Sequence, residues 1–195
     1  MKKNNSKRET VYAFIDSQNL NIGTQKAGWK LDWRKFRKFL SDKYDVKEAY
    51  MFIGYILENE NLYEYMHDLG YLVVLKQLVD TRNEAEGSPE TGLKESEHKN
   101  DETNTDHKTG IKGNIDADLV LYAMKEIDNY DKAVIISGDG DFLSLCEYLQ
   151  EKNKLLAIIT PNWMYSSLFK PFENKIVRLD LLKKKLAYRK KKFRK

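Results

Sequence analysis

The chain has 195 residues, 41% of them hydrophobic, which suffices for one core and makes one domain the natural expectation. Its single cysteine, Cys146, excludes an intramolecular disulfide and points to a reducing, cytoplasmic compartment. The formal net charge of +4 is unevenly laid out, with an acidic stretch inside the chain and a basic block at its end.

The opening MKKNNSKRET reads as a flexible N-terminus over residues 1–9; it is charged, lacks an apolar stretch behind it and is not a secretory signal. No run reaches the roughly 20 apolar residues of a membrane helix, so no membrane partner is expected. TVYAFID (10–16) is an apolar run ending at Asp16 and predicts a buried strand. DWRKFRKFLSDKY (32–44) places Trp33, Phe36, Phe39 and Leu40 on one helical face. A second strand is predicted over 47–56, a helix over 59–70 stopped by Gly70, and a third strand over 71–76.

Residues 80–110 break the pattern. They carry nine acids against four bases and almost nothing apolar beyond Ala85 and Leu93, which predicts a disordered insert within the domain. Order resumes with a helix over 114–130, whose Leu119, Ala123 and Ile127 share a face. A strand (132–137), a helix (141–153), a strand (154–160), a short helix or turn (166–172) and an edge strand (175–180) complete the domain, which spans 10–182. The tail 183–195, KKKLAYRKKKFRK, has nine basic residues and no acid. Such blocks often contact nucleic acid, a merely solvated terminus being the plainer alternative. The candidate contacts are Lys183, Lys184, Lys185, Arg189, Lys190, Lys191, Lys192, Arg194 and Lys195.

Strands alternating with helices imply an α/β fold with a mostly parallel sheet and right-handed crossovers. In such sheets the ligand site lies beyond the carboxyl ends of the strands. Three motifs fall there: FIDSQNLNIG (14–23) with Asp16 and Asn19, KGNIDADL (112–119) with Asp116 and Asp118, and SGDGDF (137–142) with Ser137, Asp139 and Asp141. Gathered carboxylates repel one another and stay ionised only with cations nearby. Oxygen donors in an incomplete shell suit Mg²⁺ or Mn²⁺, which would be held by Asp16, Asp116, Asp139 and Asp141. Asn19 and Ser137 would support them. Singly, Asp116 and Asp141 also read as helix caps, Asp139 as a turn residue and Asn19 as an Asx turn. Asp118 lies about 200° around the helix from Asp116 and reads equally as an outer ligand or a solvated residue. His67, His98, His107 and Cys146 form no zinc pattern, and neither a P-loop nor a G-x-S-x-G elbow is present.

FIDSQN, KGNIDADLVLYAM and VIISGDGDFLSLCEYL resemble the NYN domain family, the LabA-like branch of the PIN-domain nucleases. The resemblance spans most of 10–180 and excludes the insert. It implies a PIN-like three-layer α/β/α sandwich, a divalent-metal site and ribonuclease activity. It assigns the metal shell to Asp16, Asp116, Asp139 and Asp141, and support to Asn19 and Ser137. Family members often carry a further acid one or two turns after Asp116; here LVLYAMKE puts Tyr122 at that place. SSLFKPF likewise lacks an acid before its final phenylalanine. The expected function is therefore a metal-dependent ribonuclease acting on single-stranded or structured RNA. A non-catalytic RNA-binding module and a structure-specific DNA nuclease are the alternatives. A homodimer is left open.

Overall fold

The computed structural model describes residues 8–55, 59–77, 79–80, 111–112 and 115–189. Residues 81–110 of the acidic insert and residues 190–195 of the tail lie outside the described residues. Among the described residues are eight strands and six α-helices: β1 (Val11–Asp16), α1 (Ser17–Lys26), α2 (Trp33–Tyr44), β2 (Val46–Tyr55), α3 (Glu60–Asp68), β3 (Leu72–Gln77), β4 (Val79–Asp80), β5 (Ile111–Lys112), α4 (Ile115–Lys125), β6 (Lys132–Ile136), α5 (Leu143–Glu151), β7 (Leu155–Thr160), β8 (Ile176–Arg178) and α6 (Lys183–Leu186). Short 3₁₀ turns occupy Gly140–Phe142, Ser167–Lys175 and Asp180–Leu182.

Six strands form one sheet in the order β3-β2-β1-β6-β7-β8, every neighbouring pair parallel. β4 and β5 pair antiparallel, which brings the two flanks of the acidic insert together. β1 has helices on both sides, and its residues alternate accordingly. Val11, Ala13 and Ile15 join one core layer with Phe36, Phe39 and Leu40 of α2. Phe14 joins the other layer with Leu119 and Ala123 of α4 and Leu145 and Leu149 of α5. The expected three-layer α/β/α sandwich is present, and near-continuous apolar strands follow from burial on both faces. Strand order reverses between β1 and β6, so a crevice opens beyond their carboxyl ends.

The sequence reading missed α1. SQNLNIGTQK offers little apolar periodicity and contains Asn19, Asn21 and Gly23, all poor helix formers. The helix forms because Asp16 caps it, accepting a hydrogen bond from the Asn19 backbone N–H at 3.0 Å. Gly23 fits where a side chain cannot: a Cβ there would overlap the Pro161 ring, lying 2.5 Å from its Cβ. Gly23→Ala is expected to cost about 1–3 kcal/mol, read as a lower melting temperature, because the rigid proline cannot yield. An unchanged melting temperature would refute that close approach.

Part of the basic tail is built into the fold. Leu186 is fully buried, and Ala187 bridges antiparallel to Leu31. The Leu186 carbonyl accepts from the Asp32 N–H at 2.9 Å, and the Lys183 ammonium donates to the Gly28 carbonyl at 3.2 Å. Lys183, Lys184, Lys185 and Arg189 thus sit beside the α1–α2 connection. Lys190, Lys191, Lys192, Arg194 and Lys195 fall outside the described residues. Among the described residues, no helix is long and apolar enough to cross a membrane.

Candidate active site

β1 and β6 end side by side, and the residues just beyond them are tied into one network. Asp16 is buried, with 6% of its surface exposed. The Ser137 hydroxyl donates to Asp16 Oδ2 at 3.0 Å and itself accepts the Asp139 N–H at 3.1 Å. Asn19 Oδ1 accepts the Gly138 N–H at 2.9 Å, which ties α1 to the segment after β6. Asp139 caps the 3₁₀ turn through the Asp141 N–H at 3.1 Å. Capping thus falls to Asp16 and Asp139, and Asp141 is left exposed at the rim. Asp116 enters from the first turn of α4.

Asp16, Asp116 and Asp139 line one cavity of about 380 Å³, together with Asn19, Lys26 and Asn162. Burial is the largest influence on Asp16. It raises the carboxyl above the usual range, with Asp139 adding to the rise, despite the lowering contacts from Asn19 and Ser137. Asp116 is also raised, first by burial and then by repulsion from Asp16, Asp139 and Asp141. Asp116 thus feels the charge of the other three, and Asp16 that of Asp139. Among the described residues, no Lys or Arg forms an ion pair with any of them.

Unneutralised oxygen donors at a shared cavity are what a hard cation requires. Among the described residues, however, no three His, Cys, Asp or Glu side chains are arranged to hold one ion as they stand. The two facts agree for magnesium-like ions, which use one or two carboxylates and keep several waters. The donor chemistry fits such an ion; a closed cage of protein ligands is absent from the described residues.

Asp118 is turned elsewhere. It pairs with Lys76 of β3 at 2.9 Å, so the expected support role gives way to a tie between α4 and the sheet. Tyr122 also leaves the site. Its ring packs 5.6 Å from that of Phe52 and 6.0 Å from that of Tyr50, because six residues on from Asp116 is about 240° around the helix. One turn on, the position is Val120, which is partly buried against the core. Cys146 is buried in the core, which pushes its thiol up to about 12 and removes it as a nucleophile.

Asn162 was missed by the sequence reading. It is 2% exposed, donates from Nδ2 to the Gly23 carbonyl at 2.7 Å and accepts the Met164 N–H at 2.7 Å. Its only signal was its place after the β7 strand, on the edge where Asp16 and Asp139 lie.

The profile of the NYN domain family matches residues 10–174, from β1 into the Ser167–Lys175 turn. The chain belongs to the NYN domain family. That family is part of the PIN-like nuclease superfamily. This NYN domain is similar to the low amplitude and bright protein LabA of Synechococcus elongatus, 24% identical over 155 residues, which covers 77% of this chain and 73% of the relative. It also resembles the crystal structure of VPA0982, a protein of unknown function from Vibrio parahaemolyticus. That match has a TM-score of 0.61 at 18% identity and covers 92% of this chain and 96% of the other. At that identity the likeness speaks to the fold.

The carboxyl shifts give the NYN domain an expected pH dependence. A carboxyl raised on folding stabilises the protein fully below its unfolded value near 4, and that contribution is lost as pH rises through the folded value. Once pH exceeds those raised values, the ionised Asp16 and Asp116 therefore oppose folding in metal-free protein. Asp116→Asn is expected to raise the metal-free melting temperature at neutral pH by about 1–3 °C and to lose that advantage in acid. Saturating Mn²⁺ is expected to raise the wild-type value by about 5 °C or more at a hundred times its dissociation constant, and the variant by less. A variant that melts lower by the same amount at every pH would contradict this reading.

Proposed function

We propose that this NYN domain is a divalent-cation-dependent ribonuclease whose site is the carboxylate cavity beyond β1 and β6. The observation that carries the proposal is the buried Asp16 sharing that cavity with Asp116 and Asp139, with no basic side chain paired to them among the described residues. Mg²⁺ or Mn²⁺, when bound, would lower the pKa of a water and neutralise charge on a phosphodiester. Asp16 would hold the ion, kept in one orientation by the Ser137 hydroxyl and the Asn19 N–H. Asp139, fixed by its own turn in the segment after β6, and Asp116 of α4 would complete the shell through the waters that the ion keeps. Asp141 at the rim would add negative charge that favours the cation. Asn19 holds the Gly138 backbone against α1 and so fixes the distance between Asp16 and Asp139.

The basic segment Lys183–Arg189, with the five further cations beyond it, would grip the RNA backbone regardless of sequence. Membership of a nuclease superfamily and the similarity to LabA support the general class. The second reading, an RNA-binding module without turnover, is favoured by two observations: no closed set of three ligands among the described residues, and the apolar Val120 one turn on from Asp116. Labelled RNA and DNA of the same sequence, incubated in parallel with Mn²⁺ or EDTA, separate the readings. Metal-dependent loss of RNA is expected. Binding without cleavage would favour the module, and faster loss of DNA would reassign the substrate.

A further inference from the structure

Beyond the sheet edge three segments pack on one another: α1, the segment after β6 and the loop after β7. The first two carry Asp16 and Asp139. The loop, PNWMYS (161–166), carries no acid, yet it touches both of the others. Its Pro161 ring stands between them. A Cβ added to Gly23 of α1 would lie 2.5 Å from the Pro161 Cβ, and one added to Gly138 would lie 3.4 Å from the Pro161 Cδ.

Asn162 fastens this arrangement. It is buried and lines the carboxylate cavity. Its Nδ2 donates to the Gly23 carbonyl at 2.7 Å, and its Oδ1 accepts the Met164 N–H at 2.7 Å. The Thr160 hydroxyl donates to the Asn162 carbonyl at 3.2 Å. A buried amide with both ends in use is held by its surroundings and constrains them in return. Gly23 lies one helical turn beyond Asn19, whose Oδ1 accepts the Gly138 N–H. From the far end of the loop, the Ser166 N–H donates to the Gly138 carbonyl at 2.9 Å and closes the ring of contacts. α1 is thus tied at Asn19 to the segment that bears Asp139, and at Gly23 to the loop after β7. Cutting the second tie leaves the helix free to pivot about the first, carrying Asp16 with it.

We infer that Asn162 is a positioning residue for the divalent ion: through Gly23 it sets the placement of α1, and so the separation of Asp16 from Asp139. This role rests on the proposed metal site, yet its test does not need turnover. Mn²⁺ is titrated into the full chain, and the free ion is measured by electron paramagnetic resonance at a temperature where every variant is folded. Asn162→Ala is expected to weaken Mn²⁺ binding about tenfold. Asn162→Ser keeps an acceptor for the Met164 N–H but is too short to reach the Gly23 carbonyl, and should weaken binding as much. Leu149→Ala, a cavity-creating change in the core layer of α4 and α5, lowers stability without touching the ties and should bind Mn²⁺ as wild type does. RNA cleavage by Asn162→Ala should recover in excess Mn²⁺, which a general loss of folded protein would not allow. Wild-type affinity in both Asn162 variants, or an equal loss in Leu149→Ala, would overturn the role. Wild-type affinity in Asn162→Ser alone would also reject it, since the turn at Met164 would then carry the effect. A wild type that binds Mn²⁺ through Asn162 but leaves RNA intact would remove the nuclease reading and keep the role. RNA cleavage with unchanged Mn²⁺ affinity in the Asn162 variants would do the reverse, and a wild type that binds no Mn²⁺ would remove both.

Discussion

Asp16→Asn is expected to lower metal-dependent RNA cleavage by on the order of 10³-fold while leaving the fold intact. The substitution is nearly isosteric. Asn caps a helix as well as Asp does, so the Asn19 N–H keeps its acceptor and α1 its start. Ser137 can rotate its hydroxyl and still accept the Asp139 N–H. What is lost is the buried negative charge, which burial already disfavours. The variant should therefore melt no lower than wild type at neutral pH, which separates lost chemistry from lost structure. Ser137→Ala removes the donor to Asp16 and the acceptor of the Asp139 N–H, both orienting contacts, and should cost about 10–100-fold, the range for groups that position a ligand. Equal losses in the two variants would mean that Asp16 acts through the network alone.

Leu186→Ala is expected to destabilise the domain by about 2–5 kcal/mol, because Leu186 is fully buried at the α1–α2 connection. At a few degrees per kcal/mol, this lowers the melting temperature by about 5–15 °C. Stopping the chain after Arg189 should leave melting unchanged and weaken RNA binding. The five cations removed should reduce the single-strand salt slope by at most about 3.5, at 0.7 for each phosphate neutralised. The block 183–195 would then have two roles, a structural staple up to Ala187 and an electrostatic grip beyond it. A Leu186→Ala protein that melts like wild type would refute the docked segment.

These two cases also show what was legible in the sequence. β1 and β6 could be read because burial on both faces demands unbroken apolar runs, and the sheet rule then placed Asp16 beside Asp139. α1 could not, since its helix comes from one cap and one close glycine contact, neither of which leaves a periodic pattern. Asp118 was half legible: its angle on α4 separated it from Asp116, but Lys76 comes from a strand distant in sequence. Leu186 was hidden by the lysines around it, whose charge suggested solvent while the one leucine went inward. Asn162 needed the contact between α1 and the loop after β7, which no local pattern encodes.

The central claim is that the carboxylates beyond β1 and β6 cut RNA with a bound divalent ion. The most direct measurement is cleavage of a labelled single-stranded RNA by the purified full chain in Mn²⁺, beside Asp16→Asn, Asp139→Asn and an EDTA control. The account predicts cleavage by wild type in Mn²⁺ alone and near-complete loss in both folded variants. Cleavage that persists in EDTA, or in both variants, would contradict it.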